Sequence, residues 1–373
     1  MKHRGTMKKR FPGSNSAYGF FSYYPYIVWP EANRLFIIKG GPGTGKSTFM
    51  KKMGQEMMEK GFEVEFHYCS ANSQSVDGVT FPALKAGIID GTAPHITDPA
   101  HPGAVEEIVN LSENWDVKPL QENRDEIIRL STEKSARFNA AYIFLSTAKQ
   151  YRDAAEKELE NKVTALPAFQ KKISMTTLDL IDEILGSRTG GFQGLNRKLF
   201  ISAITPQGAV NHLDNLLECY SICYVLTGAS SSLKRSVIQG VREAARLRGF
   251  NIEDFCCALD PQRVDHLGLP ELDTVLINSS EPHSILPGFT GNPFKEVDMG
   301  FPETLPETGL EKDSRFYHHY RVAFDGAISM LQEAGELHDK VEAFYIPAMD
   351  FSAVEDLRRR VKESILSLAE SQK

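Results

Sequence analysis

Residues 34 to 53 read "RLFIIKGGPGTGKSTFMKKM", and this stretch decides the fold. It opens on a short apolar run, the pattern of a buried strand. Phe49, Met50, Met53 and Met57 then fall on one face at helical spacing, predicting an amphipathic helix that Gly61 stops. Between the two lies Gly40-Gly41-Pro42-Gly43-Thr44-Gly45-Lys46-Ser47-Thr48, which satisfies G-x-x-x-x-G-K-[ST]. Residue frequencies alone give this pattern in roughly one or two chains of this length per hundred, and its place between strand and helix makes chance rarer still. Glycines let the backbone curl so that successive N–H groups face phosphate oxygens. The helix that starts there adds the positive end of its dipole. Lys46 is expected to reach β- and γ-phosphates, and the Ser47 hydroxyl to ligate Mg²⁺. Gly40 to Thr48 are therefore the expected nucleotide-binding residues.

An altered version, "TGASSSLKRSV", occupies residues 227 to 237, with Lys234 standing 188 positions after Lys46. That offset holds without a gap between residues 61–96 and 249–284, where 12 of 36 positions are identical. Gly61/Gly249, Cys69/Cys257, Asp77/Asp265, Pro82/Pro270 and Pro94-His95/Pro282-His283 are among them. Unrelated sequences share about two, so the chain is an internal duplication. Upstream, "SAYGFFSYYPYIV" corresponds to "ITPQGAVNHLDNLL" with one residue of slippage. "RLFIIKG", "EVEFHYC" and "AGIID" read as strands, as do "ICYVLTG", "IEDFCCA" and "TVLIN". Strands alternating with helices predict an α/β fold of two P-loop NTPase-like parallel-sheet domains, each followed by a helical arm.

The duplication acts as a mutation experiment inside one chain. Gly45 corresponds to Leu233, Ser47 to Arg235 and Asp90 to Asn278. Leu233 brings a side chain to a place where backbone must approach phosphate, and Arg235 puts a cation where a hydroxyl would hold metal. Asn278 lacks the carboxylate that ends "GIID", the position of a Walker B aspartate that holds Mg²⁺ through water. This joint loss supports assigning Asp90 to the Mg²⁺ role beside Ser47, and Lys46 and Asp90 are the expected catalytic residues. Asp77 and His95 persist in both halves, which weighs towards a structural role; the alternative is a second ligand held by Asp265 and His283. Gly91 stands where fast P-loop ATPases often place a water-orienting glutamate, leaving slow hydrolysis, phosphoryl transfer to an acceptor, or a base from elsewhere. Thr92 reads as a turn residue rather than a γ-phosphate sensor. The aromatic run from Tyr18 to Trp29 reads as core or interface more than as a stack for a base. His338, Asp339 and Glu342 read as a solvated helix face more than as a metal pair.

Residues 121 to 165 carry one long helical pattern, with Phe138, Ala141, Leu145, Ala148, Ala155, Leu159 and Val163 near heptad spacing. Such an arm is roughly 60 Å long. Pro167 ends it, and "ISMTTLDLIDEILGS" offers a returning helix. Residues 311 to 371 repeat the plan, with Ser352 and Glu355 as an expected capping box. The expected domains are 1–120 with the intact loop, 121–187 as a helical arm, 188–310 with the degenerate loop, and 311–373 as a C-terminal helical segment.

The 373 residues carry a net charge of −7, which argues against a generic binder of nucleic acid or anionic membrane. No stretch approaches the roughly 20 apolar residues that span a bilayer. The basic start "MKHRGTMKKRF" runs into Pro- and Gly-broken sequence, a poor signal segment. Five cysteines without zinc-ribbon spacing fit buried free thiols in a reducing cytoplasm. Through "IKGGPGTGKSTF", "SVDGV", "IIDGTAPH" and "TPQG", nearly the whole chain resembles an uncharacterised bacterial family of tandem P-loop NTPases. The P-loop class implies nucleoside triphosphate and Mg²⁺ at Gly40 to Thr48. The tandem pattern implies a phosphate loop in each half, and the departures at Leu233 and Arg235 bear on the second alone. The expectation is a cytoplasmic, Mg²⁺-dependent, ATP-binding (or other NTP-binding) P-loop NTPase, with slow hydrolysis or phosphoryl transfer and a degenerate second site. The alternatives are a small-molecule kinase and a nucleotide-gated interaction protein, whose arms would meet a protein partner or a second copy.

Overall fold

The computed structural model describes residues 4–28, 31–164, 166–191, 194–228, 230–281, 292–300 and 315–371. Trp29, Pro282, His283 and the side chain of Val163 lie outside the described residues. The first half runs β1 (Met7–Arg10), β2 (Gly13–Ser16), β3 (Gly19–Ser22), β4 (Arg34–Lys39), α1 (Lys46–Glu59), β5 (Val64–Tyr68), β6 (Val76–Phe81), β7 (Ala86–Asp90) and β8 (Glu106–Asn110). Three helices follow: α2 (Val117–Glu122), α3 (Arg124–Thr164) and α4 (Pro167–Leu185). The second half repeats the order with β9 (Asn196–Leu199), β10 (Ser202–Thr205), β11 (Gly208–Asn211), α5 (Leu213–Glu218), β12 (Ile222–Thr227), α6 (Ser231–Leu247), β13 (Ile252–Cys256), β14 (Val264–Leu269), β15 (Thr274–Asn278) and β16 (Lys295–Asp298). Helices α7 (Arg315–Tyr345) and α8 (Phe351–Ser371) complete the chain.

The two six-stranded sheets have matching orders, β1-β5-β6-β7-β4-β8 and β9-β13-β14-β15-β12-β16. They are mixed, which corrects the expected parallel sheets: β6 and β14 each run antiparallel to both neighbours. The reason is local. A Pro-led 3₁₀ turn at Pro82–Leu84, closed by left-handed Lys85 at φ 49°, leads β6 directly into β7. No helix intervenes, and so short a connection returns the chain antiparallel. Pro270–Leu272 and Asp273 at φ 47° do the same between β14 and β15. Gly61 and Gly249, at φ 93° and 77°, follow α1 and α6 in the left-handed conformation that ends helices.

The arms exchange partners. α3 lies antiparallel to α7, with Lys134 beside His338 and Tyr151 beside His319. Their seam buries Ala141, Leu145 and Ala148 against Ala323, Phe324, Ala327 and Leu331. α4 then packs Leu180 and Ile184 onto α6 of the second half. α8 packs Val354, Val361 and Ile365 onto α1 of the first. Each such side chain stabilises by about 1.5–3 kcal/mol, so each half is closed by a helix from the other half's arm. The cap of α8 differs from the expected Ser352–Glu355 box. Asp350 Oδ1 accepts from the Ser352 and Ala353 N–H groups at 2.9 and 3.1 Å.

Candidate functional site

In the first half the apolar strand β4, paired between β7 and β8, delivers the chain to the C-terminal end of the strand, where glycine takes over. Gly43 and Gly45 adopt φ 69° and 84°, which curls residues 40–46 into a nest ahead of α1. Gly45 is the N-cap and no side chain caps the helix, leaving first-turn N–H groups facing outwards. Lys46 Nζ lies over the loop, donating to the Gly40 and Gly41 carbonyls at 2.8 and 2.7 Å, 3.6 Å from Asp90 Oδ2. Asp90 Oδ1 accepts from the Thr92 N–H at 2.8 Å, and Thr92 Oγ1 donates to Gly40 O at 3.0 Å. Ser47 Oγ accepts from Val76 N–H at 3.0 Å.

The loop opens into a cavity of about 850 Å³ between sheet and arms, within the range of small-molecule and cofactor sites. Of the expected loop residues, Gly41 to Thr48 line it together with Asp90; Gly40 sits behind, bonded to Thr92 and Lys46. Residues read from sequence as structural also line it. Asp77 and His95 are there, with His95 Nε2 3.6 Å from Asp77 Oδ2 and the ring stacked on Tyr24 at 4.2 Å. So are His338 and Glu342, which are not a plain solvated face: Glu342 Oε1 accepts from the Gly43 N–H at 3.0 Å. The aromatic run divides, Tyr23 and Tyr24 being core while Phe20 reaches the cavity. Phe138 and Tyr142 of α3 face it as well. Phe138 was read from sequence only as part of the helix's heptad stripe, and the pair also forms an F-x-x-x-Y spacing that recurs at Phe316 and Tyr320.

Burial dominates the charges. It raises the Asp90 carboxyl above its usual range, against the opposing pull of Lys46 and Thr92. Burial, then the charge of Asp90, pushes Asp77 up to about 7. Burial and Lys46 lower His95 to about 4. The His338 ring holds Glu342 below the usual carboxylate range despite partial burial. Among the described residues no group of three His, Cys, Asp or Glu side chains suits a metal ion on its own. A Mg²⁺ ion carried with a triphosphate needs less from the protein, and the oxygens of Ser47 and Asp90 are the hard donors it takes. The residues fit that ion. The five cysteines are free thiols.

In the second half the helix begins earlier relative to the lysine. α6 starts at Ser231, three positions ahead of Lys234, with Ser230 Oγ capping the Leu233 N–H at 3.4 Å. Leu233 is core, not a side chain intruding on phosphate. Lys234 Nζ donates to Ser279 O at 2.7 Å. Arg235 donates to Ser231 Oγ at 2.7 Å and to Glu156 Oε2 of α3 at 2.8 Å, and lies 3.6 Å from Asp265. Asn278 Nδ2 donates to Ser231 Oγ at 3.0 Å. The space is filled by its own side chains and by the arm. Between the arms, Phe138 and Tyr142 match Phe316 and Tyr320 at an offset of 178, which sets Glu156 opposite Ala334. Ala334 lines the open first cavity, so a methyl stands there where a carboxylate fills the copy.

Among the described residues no helix is long and apolar enough to cross a membrane. Comparison with protein-family models, curated proteins and solved structures finds no match.

Proposed function

We propose that the chain is a Mg²⁺-dependent P-loop NTPase of the tandem kind its sequence resembles, binding ATP or another nucleoside triphosphate in the first half alone. The observation that carries this reading is the nest of residues 40–46 leading into a helix with no side-chain cap, with Lys46 over it, at the floor of an 850 Å³ cavity. Loop amides and Lys46 bind the polyphosphate, and Asp90 and Ser47 hold the metal. Mg²⁺ would supply charge neutralisation at the γ-phosphate. Gly91 carries no water-orienting side chain, and a Cβ there would already stand 2.3 Å from Ile37 Cγ2. The geometry therefore favours slow hydrolysis or phosphoryl transfer to an acceptor in the part of the cavity lined by Phe20, Phe138 and Tyr142. A nucleotide-gated interaction protein is the second reading, supported by the Glu342 contact that ties α7 to the loop. Phosphate release measured with and without a metabolite panel separates these outcomes. Turnover with one acceptor marks a kinase, basal release marks an NTPase, and binding without turnover marks the gate.

A further inference from the structure

The first-half site holds two facing carboxyl groups where its own copy holds one. β6 and β7 pair antiparallel with Gly78 opposite Ile89, so the next position sets Asp77 opposite Asp90. Opposed side chains on neighbouring strands share a face with Cβ atoms about 4.5–5.5 Å apart, where like charges repel. Asp77 is 8 % exposed and the Asp90 side chain 14 %. Lys46 sets one ammonium against these two carboxylates.

In the second half, His266 opposite Ile277 sets Asp265 opposite Asn278. One carboxylate of the pair is gone, and a cation has been built in: Arg235, at the position of Ser47, lies 3.6 Å from Asp265. Ser47 is itself fastened to β6 through the Val76 N–H, one residue before Asp77. Ser47, Asp77 and Asp90 line one cavity in the first half. In the copy a guanidinium from the position of Ser47 stands beside the retained aspartate.

We propose that Asp77 is a second cation-facing carboxylate of the first-half site, grouped with Asp90 and Ser47 around one divalent metal, and that Arg235 is the tethered stand-in for that metal. The proposal deepens the nucleotide reading and rests on it for the source of the metal. It also accounts for the persistence of Asp77 as Asp265, since that aspartate faces a cation in both halves.

Two measurements on the full chain test this. The first is Mn²⁺ affinity by electron paramagnetic resonance with a non-hydrolysable ATP analogue bound. Asp77→Asn is expected to weaken Mn²⁺ binding at least about tenfold while metal-free analogue affinity stays within about twofold. The second needs no nucleotide: a thermal-melting cycle of Ser47→Arg in wild type and in the Asp77→Asn background. The introduced guanidinium has its carboxylate partner only in the former. Ser47→Arg is therefore expected to lower Tm less there, by a few degrees. Unchanged Mn²⁺ affinity in a protein that binds the analogue, or equal Tm shifts in the two backgrounds, overturns the proposal. If wild type binds no analogue, the nucleotide reading fails, and the melting cycle still decides whether Asp77 faces the side chain at the position of Ser47.

Discussion

At the scale of single residues, the loop was legible because its chemistry is local, while the groups that meet it from afar were not. The sequence contains Lys46 and Asp90 in recognisable patterns, but Glu342 lies 299 positions from the Gly43 amide it accepts from, and no spacing could join them. Glu342 places an anion in an anion-binding nest. Glu342→Gln keeps the shape, removes the repulsion, and should tighten nucleotide binding about three- to tenfold, read by calorimetry. Unchanged or weaker affinity would mean the contact does not compete with phosphate. Asp90→Asn should split the binding: metal-free nucleotide affinity survives, while the gain from Mg²⁺ and any turnover fall together. A wild-type rate in that variant would place the metal carboxylate elsewhere. Asp77 was read as structural because it persists in both halves. That inference assumed persistence means indifference to the ligand, whereas Asp77 lines the first-half cavity and Asp265 lies 3.6 Å from Arg235.

At the scale of elements, apolar runs identified β4, β5 and β7 and their copies, and glycine identified the ends of α1 and α6. β6 was missed because "VDGVTF" is interrupted by glycine and because a parallel crossover needs a helix that the short β5–β7 interval does not contain. The degenerate loop was read as a damaged nest, yet with Leu233 at the position of left-handed Gly45 the chain is already helical from Ser231. What holds that helix start is Glu156, buried against Arg235 and Arg263 at 2.8 and 2.7 Å. Burial opposes its ionisation, and the guanidinium groups of Arg235, Arg152 and Arg263 outweigh that and hold its carboxyl below the usual range. A depressed carboxyl stabilises the fold above its ordinary value of 4.5 and loses that contribution as pH falls through its lowered one. Glu156→Gln should therefore cost about 3–5 kcal/mol at neutral pH. Urea melts from pH 7 down to 3 should show a flatter stability curve in the variant. Parallel curves would show that Glu156 does not couple the arm to α6.

At the scale of the whole molecule, the duplication was plain in the sequence, but the exchange of arms was not, because helical periodicity states which face is buried and not what buries it. α8 completes the core around α1, and α4 the core around α6. The two halves should consequently unfold together. Ile365→Ala, in a position with no exposed surface, should cost about 2–5 kcal/mol, and differential scanning calorimetry should show a single transition moved to lower temperature. Two separated transitions, only one of them moved, would contradict the interlocked arrangement. The same asymmetry of sites sets the central claim, that one half binds nucleotide and the other is closed by Arg235, Glu156 and an earlier helix start. Isothermal titration of the wild-type chain with Mg-ATP tests it most directly. The account predicts one site per chain, lost or severely weakened in Lys46→Ala and retained with the same stoichiometry in Lys234→Ala. Two equivalent sites per chain, or undiminished affinity in Lys46→Ala, would contradict it.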